Sequence, residues 1–397
     1  MSQSREPSFT LGVEEEYLLV DRESRDLISD PPVSLLDDCE ALVGKQVSRE
    51  LLRSQIEVGT KVCENVAEAR QDIARLRGGV AEVTGRFGYA PIAASTHPYA
   101  RWFDQKHSEG ERYESLTQEM QAAARRLLIC GMHVHVGIED DELRIDLMNQ
   151  FSYFLPHILA LSCSSPFWKG DDTGLKSYRL TVFDALPRTG IPARFASYAE
   201  YRRHVDVLIN AGLIEDATKI WWDLRPSDRY PTLEVRVADV CTRLDDAMAL
   251  TAMVVCIMRM LYRLRCDNRR WRMYARMLIM ENRWRAMRYS FDEGLVDLAK
   301  GHIVEFPDLV DELLEILAPD AADLGCTKEL EGIRGILARG TSAHRQLRVY
   351  QEAVAEGMER GEALKAVVDQ LIEETVADLE TGSSIEATAP AAAADPG

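Results

Sequence analysis

The chain has 397 residues, with 65 Asp and Glu against 47 Lys and Arg and a formal net charge of −18. Bulk nucleic-acid binders carry a basic surplus, so this balance argues against a nucleic-acid partner. The 46% hydrophobic fraction excludes a disordered acidic chain and is enough to build one large domain.

The first residues carry no apolar run of the kind a secretory signal needs. The longest apolar stretch, residues 247–258, falls short of the roughly 20 residues that span a bilayer. A cytoplasmic protein without a membrane partner is the expectation. Eight cysteines are scattered with no CxxC, which reads as reduced, buried thiols.

Residues 9–20 read as a strand. Phe9, Leu11, Val13, Glu15, Tyr17 and Leu19 share one face, and Glu14 and Glu16 share the other. Side chains two apart on a strand lie about 6.6 Å apart, so both carboxylates line one site. Such a pair repels unless a cation sits nearby. An exposed sheet face is the plain alternative, but apolar flanks argue for a central strand.

Residues 54–60 form a second strand end, with Gln55 and Glu57 on one face. Residues 129–137 form a third, with His133 and His135 together. An HxH strand suits a divalent ion and also arises by chance; without HExxH a zinc protease is not indicated. Residues 231–239 form a fourth, where Glu234 and Arg236 share a face between apolar neighbours. That pair is either an internal ion pair or a metal carboxylate beside a phosphate-binding guanidinium.

From about residue 244 to 379 the pattern is helical, with Pro307 and Pro319 as the main expected breaks. Residues 245–265 are apolar nearly all round, as in a buried helix. The arginines from Arg259 to Arg288 read as a solvated or salt-bridged helical face before a wall over an anion. Residues 1–380 are expected to be one catalytic domain, and the Ala/Pro-rich residues 381–397 a disordered tail.

Glu14, Glu16, Glu57, His133 and Glu234, with Arg236 among them, thus describe one sheet surface. The oxygen-rich set favours Mg²⁺ or Mn²⁺ over zinc. Several divalent ions on one acidic sheet point to a nucleoside triphosphate. No GxxxxGK[ST] or GxGxxG occurs, so phosphate would be held by metal and arginine.

Several short motifs follow one another along the chain. They are Gly12-Val-Glu-Glu-Glu-Tyr17, Gln55-Ile-Glu57 with Thr60, Ala94-Ser-Thr-His-Pro98 and Cys130-Gly-Met-His-Val-His135. They continue through Ser165-Pro-Phe-Trp168, Asp172-Thr-Gly174, Ser177-Tyr-Arg179, Trp222-Asp-Leu-Arg-Pro226 and Leu233-Glu-Val-Arg236, to Glu281-Asn-Arg-Trp-Arg-Ala286 with Arg288-Tyr289. In number and order they resemble the glutamate–cysteine ligase type 2 family, bacterial carboxylate–amine ligases within the wider glutamine-synthetase-like group. The resemblance spans roughly residues 9–375.

The resemblance implies an α+β fold: a concave, mostly antiparallel sheet flanked by helices, with a helical C-terminal third. It implies ATP and Mg²⁺ (or Mn²⁺) as cofactors. Glu14 and Glu16 would serve two different ions, Glu57 joining Glu16, and His133 and Glu234 joining Glu14. Arg236 and Arg225 would face phosphate, and Arg179 a substrate carboxylate or phosphate. Glu64 and Glu281 are candidates for a third carboxylate at the second ion. Glu15, on the opposite face, would be structural. His97, His135 and residues 282–285 match the family without an assigned role, and residues 170–200 could supply a covering loop.

The implied reaction joins the γ-carboxylate of glutamate to the amine of cysteine, or of another amine, through an acyl phosphate. The C-terminal helices could bury a homodimer interface. Three rivals stand beside this reading. They are a ligase of the same fold for another amino acid and amine pair, a non-catalytic ATP or amino-acid binder, and a transition-metal hydrolase around His133 and His135.

Overall fold

In the computed structural model, residues 6–108, 120–121 and 126–379 are described. The expected tail at 381–397 lies outside the described residues. The architecture is α+β: seven strands form one antiparallel sheet, and helices cover it and build the C-terminal third.

The strands are β1 (Leu11–Asp21), β2 (Val47–Arg49), β3 (Gln55–Gly59), β4 (Tyr89–Ile92), β5 (Met132–Gly137), β6 (Leu224–Pro226) and β7 (Thr232–Val235). The sheet order is β6-β7-β5-β1-β3-β2. Strand β4 extends the β5 side by pairing with the far end of β1. The four expected strands are therefore β1, β3, β5 and β7, adjacent in space although distant in sequence.

Alternation along β1 sorts its faces. Leu11, Val13, Glu15 and Tyr17 are buried, whereas Gly12, Glu14 and Glu16 are only partly covered. The buried face packs on the Val66–Arg86 helix. Asn65 caps that helix by accepting from the Glu68 amide, and its buried stripe includes Ala69, Ile73, Leu76, Val80 and Val83.

Glu15 sits on this core face and is fully buried. Arg77, equally buried, holds it by a two-point ion pair at 2.6 and 2.7 Å, and the Tyr17 hydroxyl donates to it at 2.5 Å. A charge removed from water needs such a partner, so the structural role expected for Glu15 follows from its face.

The Leu244–Cys266 helix is buried on nearly every side. At 23 residues it is long and apolar enough to cross a membrane, more so than the sequence expectation allowed, yet its apolar residues lie inside the protein. Asp245 and Asp246 in its first turn and Arg263 and Arg265 in its last suit the helix dipole.

Pro319 does not break the chain as expected. It lies inside the Phe306–Asp323 helix, and Pro307 starts that helix. Burial of Leu314 and Leu317 and the ion pairs of Asp320 with Arg259 and Arg263 hold the helix through the proline. Part of the arginine run is salt-bridged: Arg265 and Arg270 pair with Asp146, and Arg283 pairs with Asp184 and Asp223.

Candidate functional site

Strand register brings the candidate side chains into rows. Glu16 stands opposite Glu57, and Glu57 opposite Ser48. Glu14 stands opposite His133, and Glu234 opposite both His135 and Arg225. Directly opposed residues share a face, so both rows line one side of the sheet. They bound a pocket of about 490 Å³, within the usual range for small-molecule sites.

One end of the pocket is a hydrogen-bonded cluster. Glu14 Oε2 lies 3.0 Å from His133 Nδ1, and Glu14 Oε1 lies 3.5 Å from His135 Nε2. Glu234 accepts from Arg225 at 2.8 and 3.1 Å and from Arg236. Donor atoms of Glu14, His133 and Glu234 all lie within 4.8 Å of one another. His133 Nε2 and Arg236 Nε are buried without a hydrogen-bond partner.

The charges follow from these neighbours. Burial would raise Glu14, but hydrogen bonds from His133 and His135 outweigh it and hold the carboxyl well below its ordinary range. Burial would likewise raise Glu234, and Arg236 with Arg225 outweighs it. Burial, then the Arg236 charge, pushes His133 down to about 4, so its ring is neutral and able to ligate. For His135 the Glu14 hydrogen bond and the Glu234 charge outweigh burial and raise the ring above its ordinary value.

The other end is a carboxylate cluster. Glu16 accepts from the Gly131 amide at 2.7 Å, and Glu57 accepts from the Ser48 hydroxyl at 3.2 Å. Burial and then the facing Glu57 charge push Glu16 up to about 7. Burial and the Glu14 charge raise Glu57. Glu50, which hydrogen-bonds Glu57, is raised well above its ordinary value by burial and by the charges of Glu16 and Glu57.

Glu50 is the residue that sequence reasoning missed. It follows β2 in a loop, where no alternation marks it. Glu64 and Glu281, the candidates for this place, are exposed and do not line the pocket. Glu64 lies just ahead of the Val66–Arg86 helix and Glu281 on the outer side of the Arg276–Tyr289 helix.

The arginines differ in what they have left to offer. Arg225 is engaged by Glu234 and by the carbonyls of Thr218 and Ile220 at 3.0 and 2.7 Å. Arg179 lies over Gly131 and donates to the Arg236 carbonyl at 3.3 Å. A Cβ at Gly131 would lie 2.3 Å from Arg179 Nη2, so only glycine leaves that guanidinium its place. Arg236 reaches Glu234 through Nη1 and keeps Nε without a partner.

His97 is not in the pocket. Its Nδ1 accepts from the Tyr99 and Ala100 amides and its Nε2 faces the Arg25 carbonyl at 2.9 Å, which makes it a turn-forming residue. Asn282 bonds the Val296 backbone at 2.9 and 2.8 Å, and Arg285 bonds the carbonyls of Glu293 and Gly294. Of residues 170–200, Arg179, Phe183 and Leu186 line the pocket. The Gly170 and Gly174 carbonyls are tied down by Arg360 and Arg288.

The donor set fits hard divalent ions: carboxylates with one neutral, partly unpartnered imidazole at one end, and mutually repelling carboxylates at the other. The lining is less acidic than the chain. Glu14, Glu16, Glu50, Glu57, Asp228 and Glu234 are matched in number by Arg49, Arg179, Lys219, Arg225, Arg229 and Arg236.

Residues 10–370 match the family model for glutamate–cysteine ligase family 2. The chain belongs to that family. A protein named "Putative glutamate--cysteine ligase 2" from Rhodospirillum rubrum is 63% identical over 379 residues, covering 94% of this chain and 97% of that one. Proteins of the same name from Jannaschia sp. and Herpetosiphon aurantiacus are 52% and 44% identical, over 94% and 93% of this chain and 98% and 93% of theirs.

Among solved structures, a glutamate–cysteine ligase from Francisella tularensis in complex with AMP superposes with a TM-score of 0.66 at 13% identity. It covers 94% of this family member and 90% of that chain. A bifunctional glutathione synthetase from Pasteurella multocida superposes at 0.64 and 13% identity, over 92% of this chain and 52% of that one. At these identities the likeness is one of fold. The sequence resemblance to glutamate–cysteine ligase family 2 and the α+β expectation are both borne out.

Proposed function

We propose that residues 1–380 form one ATP-dependent carboxylate–amine ligase that joins the γ-carboxylate of glutamate to the amine of cysteine. The observation that carries this is the pocket's polarity. A balanced Glu14–His133–Glu234 cluster with Arg225 and Arg236 stands at one end, and the crowded carboxylates of Glu16, Glu50 and Glu57 stand at the other. Family membership and the fold shared with an AMP-bound ligase support the reading.

Glu14, His133 and Glu234 would hold one Mg²⁺ or Mn²⁺, and Glu16, Glu57 and Glu50 a second. When bound, such ions neutralise phosphate charge and so favour phosphoryl transfer. The chain's own residues set up the rest. Arg236, with a free buried N–H, meets the negative charge that develops on the transferring phosphoryl group. Arg225 fixes the Glu234 carboxylate by a two-point bond, and so its orientation. Arg179 stands beside Glu16 and holds a substrate carboxylate or phosphate.

A glutamate carboxylate oxygen attacks the γ-phosphorus of ATP, giving an acyl phosphate and ADP. The amine attacks the acyl carbon, loses a proton and expels phosphate. No protein nucleophile takes part, which fits the pocket lining: it contains no cysteine among the described residues. Leu51, Leu127, Ile129, Phe183 and Leu186 give the walls an apolar part that limits water near the acyl phosphate.

The test is ADP release with ATP, Mg²⁺, glutamate and a panel of amines, for wild type and Glu14→Gln. Wild type is expected to need glutamate and an amine, and the variant to lose at least about a hundredfold, the scale on which lost charge stabilisation acts. An unchanged rate in Glu14→Gln would remove the metal assignment.

A further inference from the structure

The Arg276–Tyr289 helix turns Arg283 inward, where it is 1% exposed. Arg283 is outside the pocket lining, yet its guanidinium forks onto two carboxylates next in sequence to elements that line it. Nε and Nη2 donate to Asp223 at 2.7 and 3.3 Å, and Nη1 and Nη2 donate to Asp184 at 2.6 and 2.8 Å.

Both aspartates are built into the segments that carry the pocket arginines. Asp184 caps the Arg179–Phe183 helix, its amide donating to the Leu180 carbonyl at 2.8 Å. Asp223 directly precedes β6, which carries Arg225, and its carbonyl accepts the Arg236 amide at 2.8 Å. Arg179 in turn donates to the Arg236 carbonyl at 3.3 Å. The path runs from Arg283 to Asp184, back along the Arg179–Phe183 helix to Arg179, and by hydrogen bonds through Arg236 and Asp223 to Arg283 again.

We propose that Arg283 is a positioning residue: it sets the spacing between Arg179 and the Arg225–Arg236 pair around the transferring phosphoryl group. The inference rests on the ligase reading above. A buried guanidinium with two carboxylates is a costly way to gain stability alone. Its planar fork fixes two directions at once, and a lysine ammonium cannot reproduce that geometry. Small displacements of charge-stabilising groups cost rate far more than they cost binding.

The test compares Arg283→Lys with Arg345→Lys, a control at an equally paired, buried arginine that bonds Glu374 and Asp246 away from the pocket. Rates are taken per folded molecule, with folding followed by circular dichroism. Arg283→Lys is expected to lose at least about tenfold in kcat with the KM for ATP within about threefold, while Arg345→Lys keeps its kcat. Combined with Arg179→Lys, it is expected to add less than about twofold to the Arg179→Lys loss, because both act through one geometry.

Arg283→Lys with more than half the wild-type kcat, or losses that multiply with Arg179→Lys, would overturn the proposal. Failure of the ligase reading shows in wild type itself, as no ADP release with glutamate and any amine. In that case binding of Mg²⁺, ADP and vanadate decides. A tenfold loss of affinity in Arg283→Lys alone supports the positioning role, and equal affinity in both variants overturns it.

Discussion

Glu16 and Glu57 face each other across neighbouring antiparallel strands, with Glu50 hydrogen-bonded to Glu57 behind them. Arg179 and Arg236 act on Glu16 through charge, without the two-point bond that Arg225 makes to Glu234. The carboxylates therefore oppose folding when no cation is present.

Glu16→Gln and Glu57→Gln are expected to stabilise the chelator-treated protein by about 1 kcal/mol, since one like charge is removed. The same variants are expected to lose most cation-dependent ADP formation and most stabilisation by Mg²⁺. Thermal melts with EDTA and with Mg²⁺ check both. A variant less stable than wild type in EDTA would mean that the carboxylates are satisfied by the protein.

Glu15 separates face from composition. Arg77→Met leaves it buried and unpaired, which is expected to cost about 3–5 kcal/mol in urea unfolding. Glu15→Gln is expected to cost stability while the folded fraction keeps its rate. Loss of ADP formation in a fully stable Glu15→Gln would put this residue in the site.

How far the site was legible follows from such pairs. Period-two alternation showed which residues share a face, so Glu14, Glu16, Glu57, His133, Glu234 and Arg236 were found together. Register was not legible, because it depends on which strands meet. Glu50 escaped because a loop residue carries no period, and exposed Glu64 and Glu281 were candidates in its place. Arg283 looked like one more member of an arginine-rich helix. Its partners Asp184 and Asp223 lie 99 and 60 residues away, and only tertiary contact joins them. The helical C-terminal third was readable from periodicity, but Pro319 was not, since burial outweighed the proline's missing donor.

Gly131 leaves room for the Arg179 guanidinium. Gly131→Ala places a methyl where the Arg179 guanidinium lies, at 2.3 Å. A long side chain can yield, so the expected cost in stability is small, about 1–2 kcal/mol. The expected loss in kcat is at least about tenfold, because Arg179 is displaced. Steady-state kinetics beside a melt would show it. Loss of stability with kcat intact would contradict the assigned place of Arg179.

Part of the acid lability should come from histidines outside the pocket. Burial pushes His97 and His157 down to about 4, from an ordinary 6.5. Between these values the unfolded chain binds more protons than the folded one. Their contribution is therefore complete above pH 6.5 and is lost as pH falls toward 4. Each contributes at most about 3 kcal/mol to that loss. His157→Met, in its apolar surroundings of Leu161, Met253 and Phe306, is expected to flatten part of the decline. Urea midpoints at pH 4.5 and 7.5 measure it; an unchanged difference between them would contradict the account.

The most direct measurement follows one oxygen atom. Glutamate labelled with ¹⁸O in its γ-carboxylate is incubated with the protein, ATP, Mg²⁺ and cysteine, and the released phosphate is weighed by mass spectrometry. The account predicts one ¹⁸O in each phosphate formed, carried over from the acyl phosphate, and a condensed product that keeps the other. Phosphate released without the label would contradict it.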